Sequence, residues 1–116
     1  SDFKIECDDL TYKDVETLCY LISKKFKFRS VYGIPNRGLK FANYLHKYIT
    51  YNSKHTILII DDFLTTGRSM EEFRRNLYLQ QIKYKIPYKK DCIGVVIFAR
   101  GKCPSWITPI FQMWGS

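Results

Sequence analysis

The chain of 116 residues lacks any apolar run near the roughly 20 residues that a membrane-spanning helix needs, and its start shows no signal-peptide pattern. Both absences predict a cytoplasmic protein with no membrane partner. Its four cysteines, Cys7, Cys19, Cys92 and Cys103, form no CxxC pair and no Cys/His spacing of the kind that holds zinc. Scattered free thiols suit a reducing compartment, and the positions of Cys19 on a helical apolar face and Cys92 at a strand start predict burial. No repeat, linker or low-complexity segment divides the sequence, so residues 1–116 are read as a single domain. Carboxylates are scarce, with 11 Asp and Glu against 19 Lys and Arg, a formal net charge of +8 and a pI near 9.4. That balance favours anionic partners, either a phosphorylated small molecule or nucleic acid. Lys24, Lys25, Lys27, Arg29 and Lys83, Lys85, Lys89, Lys90 flank helix ends. Solvated surface complementing helix C-termini is their plain reading, and nucleic-acid contact the other.

What is present is a regular alternation of helical and extended patterns. After a lead-in over residues 1–10, Thr11 and Asp14 have near capping-box spacing, and Tyr12, Val15, Leu18, Cys19, Ile22 and Phe26 trace a helical stripe to about Lys25. A strand over 31–34, a helix over 39–49, a strand over 56–61 and a helix from about Ser69 to Tyr84 follow. Ser69 and Glu72 repeat the capping-box spacing. Residues 93–99 read as a third buried strand, 100–105 as a turn, and 106–114 as a last strand interrupted by Pro109. Strands alternating with helices predict right-handed crossovers and a mainly parallel sheet.

Two segments carry chemistry. Ile57, Leu58, Ile59 and Ile60 run straight into Asp61 and Asp62, followed by Phe63, Leu64, Thr65, Thr66, Gly67, Arg68, Ser69 and Met70. An all-apolar run suits a strand buried on both faces of a parallel sheet. Ligands of open α/β sheets bind beyond the carboxyl ends of such strands, where this pattern places its acids. A Gly-containing turn before a helix presents N–H groups to an anion, and Thr and Ser hydroxyls add donors. The second segment, Val31-Tyr32-Gly33-Ile34-Pro35-Asn36-Arg37-Gly38, repeats the theme: a strand, a tight loop, then a helix. The Arg37 guanidinium is matched to a pair of phosphate oxygens. Any buried strand with a polar turn gives part of this pattern, as do receiver domains, although strand 31–34 lacks the Asp a receiver needs.

The run from Ile57 to Met70 resembles the binding signature of the type I phosphoribosyltransferases, which use 5-phosphoribosyl-1-pyrophosphate (PRPP). The resemblance implies a three-layer, doubly wound α/β fold with a mainly parallel sheet and a reduced hood. It implies a Mg²⁺-dependent pentosyltransferase of nucleotide salvage that moves ribose 5-phosphate from PRPP to a nucleobase and releases pyrophosphate. Asp61 and Asp62 would be the catalytic and metal-holding acids. Thr65, Thr66, Gly67, Arg68 and Ser69 would hold the 5-phosphate, and Pro35, Asn36, Arg37 and Gly38 the pyrophosphate. Many members carry a non-prolyl cis peptide in that second loop. Phe63 and Trp114 are the candidates for the base, with Phe111 or Trp106 behind Trp114. A homodimer is implied as well.

The chain departs from the family in two places. Thr65 stands where enzymes for 6-oxopurines commonly carry Asp. Only residues 50–56 fill the interval in which most members have a long mobile loop, so a lid is nearly absent. That absence keeps a second expectation open: a PRPP- or nucleotide-binding regulatory module without efficient catalysis, with RNA as a possible target.

Overall fold

The computed structural model describes residues 10–51, 56–84 and 91–113. Helix α1, Tyr12–Lys25, begins at Thr11, whose hydroxyl accepts the Asp14 N–H at 3.1 Å while the Asp14 carboxylate accepts the Thr11 N–H at 3.0 Å. This is the reciprocal cap that the spacing predicts. The helix turns Val15, Leu18, Cys19 and Ile22 inward. Burial pushes the Cys19 thiol up to about 12, and its Sγ sits 3.5 Å from the Phe41 carbonyl oxygen, so this cysteine is a core group. Strand β1 is Ser30–Gly33 and helix α2 is Leu39–Leu45, which tightens into a 3-10 turn, His46–Tyr48, where a continuous helix to residue 49 was predicted. Strand β2 is Ile57–Leu64, helix α3 is Arg68–Lys83, strand β3 is Cys92–Ala99 and strand β4 is Ile107–Gln112.

The four strands form one all-parallel sheet in the order β1-β2-β3-β4. Pro109 is accommodated inside β4 because, among the described residues, that strand has only β3 beside it and can present a missing N–H outward. Leu58, Ile60, Val95 and Ile97 face one way and pack with α1 and with Phe41, Ala42 and Leu45 of α2. Ile57, Ile59, Val96 and Ile107 face the other way and pack under Met70, Phe73 and Leu77 of α3. The alternation explains why β2 is apolar at every position from 57 to 60: each residue is covered on one face or the other. Helices therefore flank the sheet on both sides, as the family resemblance implies.

The strand order brings a correction. The steps β1 to β2 and β2 to β3 move the same way across the sheet, yet α2 and α3 lie on opposite faces. Two such crossovers have opposite hands, so one is of the rare left-handed kind, where right-handed connections were expected throughout. The described strands also run in sequence order, without the reversal that marks the switch point of doubly wound sheets.

Leu58 has no solvent exposure and Ile82 is 56% exposed, which sets up a direct comparison. Leu58→Ala is expected to lower stability by about 2–5 kcal/mol in urea unfolding, whereas Ile82→Ala changes it by less than about 0.5 kcal/mol. Similar losses at the two positions would contradict this account of the core.

Candidate functional site

Strand β2 runs further than the sequence suggests. A strand end at Asp61 was expected, but β2 continues to Leu64 and keeps pairing with β3, Phe63 opposite Phe98 and Leu64 opposite Ala99. Strand β1 stops earlier, at Gly33 opposite Ile60. The chain crosses one residue further, with the Ile34 N–H donating to the Ile60 carbonyl at 2.9 Å, and then turns away. The last four residues of β2 thus project past their neighbour, and the two carboxylates stand at the notch so formed.

Loop 34–38 folds over the notch on a backbone contact that only glycine allows. A Cβ on Gly38 would lie 2.5 Å from the Ile60 carbonyl oxygen and 2.7 Å from the Ile34 nitrogen, and both are main-chain atoms that cannot swing aside. The Gly38 N–H closes the turn onto the Ile34 carbonyl at 2.8 Å. The Pro35–Asn36 peptide is cis. Pro35 and Asn36 are exposed, Arg37 is partly buried and Gly38 is buried.

Loop 65–67 leads from β2 into α3, whose first residue is Arg68 and whose cap is Gly67 at φ 82° and ψ 2°. The left-handed conformation is the reason for glycine there. The Arg68 N–H donates to the Thr66 hydroxyl at 3.2 Å. Ser69 is therefore the second residue of the helix and not its cap, which corrects the predicted capping box. Its hydroxyl is exposed at the first turn, where the helix dipole favours an anion.

A cleft of about 300 Å³ joins the two loops, lined by Ile34, Pro35, Asn36, Arg37, Asp61, Asp62, Phe63, Thr65 and Ser69. A hollow of about 60 Å³ lies alongside, where Asp61, Phe63 and residues 64–70 meet. Of the sequence-predicted residues, Thr66, Gly67 and Arg68 line this second hollow. Gly38 lines neither; it holds loop 34–38 down on β2. Trp114 lies outside the described residues. Phe111 stacks on Phe98 with ring centroids 5.2 Å apart. Trp106 sits among the half-buried side chains under α3, with Arg74 4.2 Å above its ring, so it packs the core near the start of β4 and takes no part in the cleft.

The two acids have different surroundings. Asp62 is 3% exposed, and its Oδ2 accepts from Arg37 Nε at 2.6 Å. Asp61 is half-buried and its Oδ1 accepts the Asp62 N–H at 2.8 Å. Burial, then the neighbouring Asp62 side chain, push the Asp61 carboxyl up to about 7, against opposing pulls from that backbone N–H and from Arg37. Two adjacent carboxyls, one of them paired to a guanidinium, carry one compensated charge and one group poised to take a proton or a cation. Among the described residues no cluster of three or more metal-ligating side chains is found. Two carboxylates suit Mg²⁺ only when a substrate supplies further oxygens.

Residues that the sequence did not single out support the floor of the site. The Arg100 N–H donates to the Leu64 carbonyl at 2.9 Å, and a Cβ on Gly101 would lie 2.7 Å from the Thr65 carbonyl oxygen. Gln112 Nε2 donates to the Ala99 and Gly101 carbonyls at 3.2 and 3.1 Å. The turn signal over 100–105 was legible, but its contact with the 65–67 loop was not.

A cavity of about 610 Å³ lies between α3 and the opening residues of β2 and β3, at Ile57, Arg74, Tyr78, Gln81 and Cys92. It is larger than the cleft, but it brings no acid pair or hydroxyl loop together, and residues 85–90 next to it in the chain lie outside the described set. Compared with known proteins, the chain matches no protein-family model and no curated protein sequence.

Two consequences are measurable. Because the folded-state carboxyl of Asp61 titrates above its unfolded value of 3.8, the stability it contributes is complete at low pH and is lost as pH rises through about 7. In metal-free buffer Asp61→Asn escapes that loss. Its melting temperature should exceed the parent's at pH 8, by an amount worth roughly 1–2 kcal/mol after screening, with the gap narrowing between pH 7 and pH 4. A gap independent of pH would show that the carboxyl is not perturbed. Gly38→Ala should cost about 2 kcal/mol or more, since the methyl group meets main-chain atoms; an unchanged denaturation midpoint would refute the close approach of loop 34–38 to β2.

Proposed function

We propose that the cleft binds PRPP and transfers its ribose 5-phosphate to a nitrogen of a nucleobase with release of pyrophosphate, on a reduced core of the type I phosphoribosyltransferase kind. The observation that carries this reading is the convergence of two separate anion-type loops, 34–38 and 65–69, on one acid pair in a single cleft. Loops on opposite rims would not serve one substrate with phosphate groups at both ends. The strand order gives further support. A strand inserted beyond the free edge of β1, between α2 and β2, would reverse the hand of the α2 crossover and leave that of α3 untouched. Only residues 50–56 fill the interval in which most members of that family have a long mobile loop, in line with the loss of such an insertion.

In this reading Thr65, Thr66, Gly67, Arg68 and Ser69 bind the 5-phosphate at the N-terminus of α3, by hydroxyls and backbone N–H groups. Asp61 and Asp62 hold the ribose hydroxyls, and their charge stabilises the positive character that the sugar acquires as the pyrophosphate departs. Arg37, whose Nε donates to Asp62, brings a guanidinium charge to the pyrophosphate, with Pro35 and Asn36 shaping the loop. Mg²⁺, when bound with the substrate, offsets the charge that pyrophosphate and carboxylates would otherwise bring together. Phe63 forms one apolar wall of the cleft for the base. A homodimer belongs to the same reading.

One observation favours a second reading. The 3-10 turn ends at Tyr48 and β2 starts at Ile57, so the connection has no length for a lid that excludes water. A module that binds PRPP or a nucleotide and regulates another molecule needs no lid.

The two readings separate in one experiment. Purified protein with PRPP and Mg²⁺ is offered adenine, guanine, hypoxanthine, xanthine, uracil and orotate in turn, with nucleotide and pyrophosphate read by mass spectrometry and PRPP binding by calorimetry. Turnover with at least one base, reduced roughly 100-fold in Asp62→Asn, is the expected result. Binding without turnover selects the regulatory module. Neither binding nor turnover would remove both.

A further inference from the structure

The positive charge of the chain is concentrated in one stretch. Residues 17–60 hold eight of the 19 Lys and Arg and none of the 11 Asp and Glu, so this stretch accounts for the whole net charge of +8. In the fold it forms the second half of α1, strand β1, helix α2 and the 3-10 turn. The C-terminal end of α1 and the 3-10 turn lie at the rim where the strands begin. Loops 34–38 and 65–69 lie at the rim where β1 and β2 end, because α2 leaves β1 there and runs back along the sheet.

At the first rim a concavity of about 230 Å³ opens between Lys24, Lys27, Lys47, Tyr48 and Thr50. No ion pair engages these three lysines among the described residues. Lys24 complements the C-terminal dipole of α1 and Lys47 lies in the closing 3-10 turn after α2, whereas Lys27 follows α1 and belongs to neither turn. Aromatic rings alternate with the cations. Lys24 Nζ lies 5.1 Å from the Tyr20 ring centre, Lys47 Nζ 5.4 Å from that of Tyr48, and the Arg29 guanidinium carbon 5.5 Å from that of Tyr51. The Tyr20 and Tyr48 rings meet edge to face at 6.5 Å, and Tyr51 is 77% exposed.

We propose that this rim is a binding surface for single-stranded nucleic acid, with Lys24, Lys27 and Lys47 on the phosphates and Tyr20 and Tyr51 as stacking platforms for bases. Ammonium groups alone attract any polyanion; exposed rings interleaved with them add a contact that only an unpaired base can use. A duplex hides its base faces and gains nothing from the rings. A membrane surface would need a continuous outward apolar helix face, whereas Val15, Leu18 and Ile22 of α1 are turned into the core and the exposed Leu21 stands among Thr17, Lys24 and Lys25. The surface lies at the rim opposite the proposed PRPP cleft, so the two ligands do not compete.

Fluorescence anisotropy with a labelled oligouridylate of about 15 nucleotides tests the proposal. The variant carrying Lys24→Gln, Lys27→Gln and Lys47→Gln should bind tenfold or more weakly at low salt. Its log-affinity against log-salt slope should be shallower by about 2, the value for three lost phosphate contacts on a single strand. Tyr20→Ala with Tyr51→Ala should weaken binding about fivefold or more and leave the salt slope unchanged. Lys83→Gln, on α3 across the sheet from this surface, should bind as the parent does. Saturating PRPP should not displace the oligonucleotide, and this holds whether or not the cleft proves catalytic. Unchanged binding in the lysine variant would overturn the proposal. So would equal affinity for a hairpin duplex of the same charge with no effect of the tyrosine variant, which marks general polyanion attraction. Tighter binding to vesicles containing phosphatidylserine than to the oligonucleotide would also overturn it. Circular dichroism melting confirms that each variant is folded, and Lys47→Glu alone serves as a milder second variant expected to weaken binding.

Discussion

The unequal lengths of β1 and β2 govern the candidate site. Both strands lie in one parallel ladder, with Ser30 opposite Ile57 and Gly33 opposite Ile60, and there β1 ends while β2 continues to Leu64 with β3 as its remaining partner. The exposed flank of Asp61 and Asp62 follows from this offset. So does the path of loop 34–38, which must turn across the Ile60 carbonyl and can do so only because Gly38 has no side chain. On the other flank, residues 100–104 hold up the 65–67 loop, so the notch has a firm wall on each side.

Charge in the notch is arranged around one guanidinium. The buried Asp62 carboxylate is compensated by Arg37, while Asp61 keeps a raised affinity for a proton. Arg37 compensates the charge of the buried Asp62 carboxylate, so the residue that the resemblance assigns to pyrophosphate also has a structural duty at Asp62. Function and stability are coupled there. Removal of Arg37 cannot be read as loss of a ligand contact alone. The concentration of cations at the opposite rim is a separate matter, since no carboxylate occurs between Glu16 and Asp61 to balance it.

Much of the domain was legible because its signals are local. The stripe Val15, Leu18, Cys19, Ile22 reports a helix face, and Thr11 with Asp14 reports its start. Ile57 to Ile60 report a strand covered on both faces, and the order of elements reports a parallel sheet. The errors are equally physical. Ser69 has the spacing of a cap, but Gly67 reaches the left-handed conformation that starts α3 one residue earlier than expected. Asp61 has the composition of a strand end, but pairing with β3 continues regardless of side-chain polarity, because the ladder is made by backbone groups.

By itself the sequence determined the alternation of strands and helices, the two glycine-bearing loops and the acid pair, because periodicity, turn chemistry and apolar runs act over a few residues. Tertiary structure alone decided the opposite hands of the crossovers, the early end of β1, the pairing of Arg37 with Asp62 and the gathering of Lys24, Lys27 and Lys47 around one hollow. Each of these depends on which distant segments lie side by side. No local pattern encodes that, because it is settled by how the two faces of the sheet are covered.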